Sequence, residues 1–222
     1  MYAWLTQMTA QDVQQHYVLK REAHSAVLQL TSADGTNKLS LKVITSLIDC
    51  IGQLGDEARL GRVGSLIITG NEKFFSVGAD LNEIARLSGP EALEFSRFGQ
   101  KLTDAIDRFP APVIAAIRGY CMGGGMDLAL ACDYRIAAPN TVFGHRGASL
   151  GVITGWGGTQ RLPRLIGKPR ALQMFLLAEL VKADEALKIG LVNEIAADPV
   201  FRALDRMRQA NSRISVISEN QW

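Results

Sequence analysis

Three consecutive glycines, Gly123, Gly124 and Gly125, stand between an apolar strand-like run, Val113 to Ile117, and a helix-forming run, Met126 to Ala131. Glycines lack Cβ atoms, so their amides approach a ligand closely and the chain can adopt positive φ. At the start of a helix such amides have no intrahelical acceptor and favour negative charge. An anion or a developing oxyanion can be held there. The plainer alternative is a tight strand-to-helix connection, which the same residues also make. No G-x-x-x-x-G-K-[ST] loop occurs, and G-x-G-x-x-G is absent after this strand, which disfavours nucleotide binding by those motifs.

The elements that must position these glycines alternate along the chain. Ser25 to Thr31 reads as a half-buried strand ended by the turn cluster Ser32 to Asn37. Between Leu39 and Leu54, Val43, Ile44, Leu47, Ile48, Ile51 and Leu54 recur at helical spacing. Leu66 to Thr69 is a short apolar strand. Pro90 and Glu91 suit the first turn of a helix that runs toward a stop at Pro110. Strand-then-helix order predicts an α/β fold with right-handed crossovers.

Composition sets the outer limits. The 222 residues are 47% hydrophobic, enough for a substantial core, and no repeat or long linker divides them. We therefore expect one domain over residues 1–222, with a core at about 20–198 and a short helical tail at about 199–222. The 24 basic and 22 acidic side chains nearly balance, which gives no field for nucleic acid or an acidic membrane. Cys50, Cys121 and Cys132 are odd in number, form no CxxC pair and have apolar neighbours, as buried thiols of a reducing compartment do. The N-terminal residues resemble no signal peptide, and no segment approaches a membrane span. The expected location is the cytoplasm.

Four segments in order carry a resemblance: FFSVGADLNEI at 74–84, IAAIRGYCMGGGMDLALACDY at 114–134, GVITGWGGTQRLPRLIGKPRA at 151–171 and EALKIGLVNEI at 185–195. Together they resemble the enoyl-CoA hydratase/isomerase, or crotonase, family over roughly residues 20 to 198. The resemblance implies a spiral of repeated ββα units and hydration or double-bond isomerisation of an enoyl-CoA thioester through an enolate. It implies coenzyme A thioester as substrate and no separate cofactor or metal. It also implies a homo-oligomer, a trimer or a hexamer, although only about 25 residues follow Ala197, fewer than the family pattern has.

Residue by residue, the resemblance assigns the oxyanion amides to Ala79 and Gly124 and the first carboxylate position to Asp127. It places coenzyme A contacts around Ala79, Asp80, Leu81 and Asn82, and gives the acyl pocket wall to Gly155, Trp156, Gly157 and Gly158. Asp80 also reads as a helix cap. The second carboxylate position falls on Gly147, which cannot transfer a proton. Certain ring-closing naphthoyl-CoA synthases also have glycine there and use bound bicarbonate. Nearby, His145 titrates near neutral pH in its ordinary state and is a candidate acid/base group, while Arg146 can face solvent or a phosphate. In a strand, residues 145 and 147 would share one face. The alternative to an enzyme is a non-catalytic acyl-CoA-binding homologue.

Other constellations lead elsewhere. His16 and His24 have no HExxH or paired-carboxylate context, so no metal site is expected. Ser149 lies in GASLG, which is not a nucleophile elbow. Arg202, Arg206, Arg208 and Arg213 read as a solvated helix face rather than an RNA surface. Lys182 stands where the family often has a helix-capping serine or threonine.

Overall fold

The computed structural model describes residues 16–219, with side chains through residue 210. The N-terminal reading and the Arg213 side chain lie outside that description. The chain enters through the antiparallel hairpin β1 (Tyr17–Glu22) and β2 (Ser25–Leu30). β3 (Lys38–Leu39) leads to α1 (Leu41–Arg59), capped by the Ser40 hydroxyl, which accepts from the Val43 amide. Of the expected stripe, Val43, Ile44, Leu47, Ile51 and Leu54 are buried, and Ile48 is partly buried against the same core.

β4 (Ser65–Thr69), β5 (Phe74–Ser76), β6 (Gly78–Ala79) and the single turn α2 (Leu81–Ile84) follow. α3 (Gly89–Asp107) opens with a capping box between Ser88 and Glu91 and has Pro90 in its first turn. Next come β7 (Val113–Ile117), β8 (Tyr120–Met122), α4 (Gly124–Ala131), β9 (Tyr134–Ala137), β10 (Val142–Gly144) and a 3₁₀ turn at Gly147–Leu150. The remainder is α5 (Gly158–Ile166), α6 (Lys168–Leu176), β11 (Leu180–Lys182), α7 (Ala183–Lys188), β12 (Glu194–Ile195) and α8 (Pro199–Glu219).

A six-stranded sheet has the order β1-β2-β4-β7-β9-β12, and a four-stranded sheet the order β11-β10-β8-β5. The three central repeats, β4–β5, β7–β8 and β9–β10, each give one strand to the large sheet, one to the small sheet, and then a helix, while β3 pairs with β6 in a two-stranded sheet. This is the ββα spiral expected from the resemblance, and it corrects the simple strand-then-helix reading. The second strand of each repeat has three residues, too few for a period of two to register in the sequence.

Both faces of the large sheet are covered, which explains its continuous apolar strands. Leu66, Ile68, Ala115 and Ile117 join the core beneath α1 and α3. Ile67, Ile114, Ala116 and Ile136 face the other way, packed with Ala203, Val200, Leu204 and Met207 of α8. The expected tail helix thus closes a sheet face. Its cations are not simply solvated: Arg202 and Arg206 both pair with Glu194, and Arg206 lies 4.5 Å from the Tyr134 ring. The three cysteines are free and buried.

Candidate active site

β5, β8 and β10 run parallel in the small sheet, so their C-terminal ends emerge together. The first residues past those ends, Val77, Gly123 and His145, line one cavity of about 420 Å³. Strand ends in parallel sheets deliver loops to a common point, and ligand sites form there for that reason.

Sterics dictate the glycines. Gly123 has φ +49°, which turns the chain from β8 into α4. A Cβ on Gly124 would lie 2.2 Å from the Trp156 ring, and one on Gly125 would lie 2.6 Å from the Ser76 Cβ. Gly78, at φ +89°, has no room for a Cβ either: it would stand 2.7 Å from both the Gly124 nitrogen and the Met122 carbonyl oxygen. The two segments bearing the Ala79 and Gly124 amides are therefore in direct backbone contact, and both residues line the cavity. The Gly124 N–H lies in the first turn of α4, ahead of any intrahelical acceptor.

Asp127 follows one turn later on the same face of α4 and is fully buried. The Thr154 hydroxyl donates to its Oδ2, while Oδ1 has no hydrogen-bond partner. Burial pushes the carboxyl up to about 7; the Thr154 hydroxyl, the Trp156 N–H and the Arg161 charge pull the other way. His145 Nε2 lies 3.4 Å from Oδ1, and no hydrogen bond joins them. Burial also lowers His145 to about 4, its ring resting 4.9 Å from that of Phe175. Near neutral pH the imidazole is uncharged and the carboxyl stands near its midpoint.

Gly147 lines the cavity but is not in a strand: β10 ends at Gly144, and Gly147 begins the 3₁₀ turn. The expected shared strand face for residues 145 and 147 is thus incorrect, and His145 reaches the cavity from the loop instead. The Gly147 carbonyl accepts from the Val152 amide at 3.0 Å. A Cβ there would lie 2.5 Å from the Val152 carbonyl oxygen, so no larger side chain fits without a backbone shift.

Ile84, Leu87, Phe95 and Trp156 make the cavity wall apolar, while Leu81, Leu150 and Ile153 at the lining are 52%, 57% and 67% exposed. Arg146 is exposed beside them. An apolar chamber with two backbone amides and one buried carboxyl can hold a negative oxygen and move a proton beside it. Among the described residues no group of three or more His, Cys, Asp or Glu is placed to hold a metal ion. Nor is any helix long and apolar enough to cross a membrane.

A profile of the enoyl-CoA hydratase/isomerase family matches residues 20–219. The chain belongs to that family. Among similar relatives, the crotonyl-CoA hydratase of Syntrophomonas wolfei is 41% identical over 182 residues, which are 82% of this chain and 69% of the relative. The short-chain-enoyl-CoA hydratase of Clostridium acetobutylicum is 37% identical, over 80% of this chain and 67% of its own length. The crystal structure of an enoyl-CoA hydratase from Bacillus anthracis superposes with a TM-score of 0.84 at 34% identity, covering 89% of this chain and 77% of that one.

Within this family fold, Asp80 caps α2 by accepting the Asn82 amide at 2.9 Å, and neither residue lines the cavity. Gly155 and Trp156 line it, but Gly157 and Gly158 do not. Gly158 instead makes room for the carboxyl: its Cβ would be 2.0 Å from Asp127 Oδ1. His24 packs on Gly64, and the Ser149 hydroxyl donates to the Arg146 carbonyl, so neither enters the site. Thr154 and Phe175 escape sequence reasoning. They belong to a non-periodic loop and to another helix, and only folding brings them to Asp127 and His145.

Proposed function

We propose that the chain hydrates an enoyl-CoA thioester or moves its double bond, by way of an enolate whose oxygen sits between the Ala79 and Gly124 amides. One lost donor in such a pair typically costs about 3–4 kcal/mol of barrier. Asp127 is the principal acid/base group. The observation that carries this reading is the buried Asp127 carboxyl, pushed up to about 7, on the same cavity as the two glycine-backed amide segments. A group that titrates near the working pH both gives and takes protons efficiently. The acyl chain lies against Phe95 and Trp156, and Arg146 at the mouth faces the coenzyme A phosphates. The two relatives, named for crotonyl-CoA and short-chain-enoyl-CoA hydration, agree with this substrate class.

Leu172, Leu176, Leu177 and Leu180 leave an exposed apolar surface around α6 and β11, which supports a homo-oligomer as the working form. The test of function incubates the protein and Asp127→Asn with a panel of enoyl-CoA thioesters in heavy water, following mass and double-bond position. Water addition or deuterium-linked isomerisation that the variant loses is the expected result. If no thioester changes, acyl-CoA binding without turnover replaces the enzyme reading.

A further inference from the structure

We propose that Asp127 and His145 act as one proton-sharing pair that seats the water added to the double bond, with Thr154 as the residue that positions the pair. This rests on the acyl-CoA reading above and selects hydration over isomerisation. Two buried polar atoms, Asp127 Oδ1 and His145 Nε2, end without a hydrogen-bond partner, and both residues line the cavity. Leaving one such atom unsatisfied is costly, so a partner is expected to come from the ligand side. The atoms are 3.4 Å apart, close enough for one water to contact both.

The surroundings reserve this place. Gly158 leaves the space that Oδ1 occupies, and Gly147, where the family's second carboxylate would stand, admits no larger side chain without a backbone shift. Thr154 fixes Oδ2, which leaves Oδ1 as the free oxygen. Arg161 from α5 and Cys121 from β8 are the charged and titratable groups that act on Asp127, and Arg146 from the same loop is exposed at the cavity lining. Between about 4 and about 7 the pair carries one proton, on Asp127, while His145 stays neutral.

The step then balances. The water oxygen bonds to Cβ as one water O–H breaks, and its proton passes to His145 Nε2. The double-bond electrons move toward the thioester carbonyl, whose oxygen becomes the enolate oxygen held by the Ala79 and Gly124 amides. As the enolate collapses, the Asp127 carboxyl gives its proton to Cα. The proton on His145 crosses to Asp127 Oδ1, so the protein ends as it began and the substrate has gained one water.

The test uses the full chain, crotonyl-CoA in ¹⁸O-labelled water to follow water addition, and butyryl-CoA in heavy water to follow exchange at Cα. Wild type should place ¹⁸O on Cβ. His145→Gln should lower the ratio of water addition to Cα exchange about 100-fold or more, with circular dichroism and a thermal melt showing that the variant is folded. Thr154→Val should move the alkaline limb of the hydration profile upward, and Thr154→Ser should restore it. Wild-type exchange without ¹⁸O incorporation overturns the pair and leaves the enolate reading standing. Absence of both reactions in wild type removes both readings. His145→Gln hydrating at the wild-type rate, or losing both reactions equally, also overturns the proposal.

Discussion

The cavity has two walls of different construction. One, from Val77 to Ala79 and Gly123 to Asp127, is made of backbone brought together because Gly78, Gly124 and Gly125 have no side chain. The other, from His145 to Trp156, is a loop that presents side chains and ends against Gly158. The first wall leaves almost no freedom, since Gly78, Gly124 and Gly125 would each clash as alanine. The second has Gly147 where the resemblance places the family's second carboxylate, and carries His145 and Thr154 beside Asp127. The backbone of the first wall is thus held by local sterics, while the side chains of the second can be exchanged by a few loop substitutions.

Breaking the meeting point of the walls should have the largest effect. Asp127→Asn is expected to reduce turnover by about 10²–10⁴-fold, measured as kcat on the responsive thioester. It should also stabilise the fold, and the sign follows from the raised carboxyl. Asp127's contribution is complete below the unfolded value of 3.8 and is lost as pH rises through about 7. Thermal melts should show the variant ahead of wild type by up to about 4 kcal/mol near pH 8, with a smaller lead near pH 5.

Next in size is the amide wall alone. Gly78→Ala forces a Cβ against the Gly124 nitrogen at a φ of +89°. A kcat loss of about 10²–10³-fold is expected, with denaturant midpoints lowered. A mild effect would mean that the glycine contacts do not set the amides. The loop wall gives the opposite test. Gly147→Glu puts a carboxylate where the resemblance places the family's second one but meets the Val152 carbonyl, so it should yield no hydratase gain and lose about 1–3 kcal/mol in chemical denaturation. An increase in hydration would show the loop to be freer than the first wall.

The smallest expected change lies outside both walls. Lys182 stands at the N-cap of α7 and gives it no side-chain cap. Lys182→Ser should add about 1 kcal/mol in thermal or urea unfolding, with kcat unchanged.

Much of the architecture was legible because it rests on short-range periodicity. Strand Val113–Ile117 matches its expected bounds, the helix read at Leu39 to Leu54 appears as Leu41–Arg59, and the Asp80 cap is made by the side chain named for it. The large sheet could be read because its strands are continuous apolar runs. The strands of the small sheet could not, since three residues carry no period, and β1 reads weakly because Lys20, Arg21 and Glu22 interrupt its apolar start.

The sequence by itself determined the family, the alternation of strands and helices, and the glycine turn, since these depend on residue type and neighbouring spacing. Only the tertiary structure decided that His145 would approach Asp127 from a loop, that Thr154 would bond its other oxygen, and that Gly158 would leave it room. Those contacts span tens of residues of chain, and the burial that shifts both groups arises only when helices and strand ends close around them.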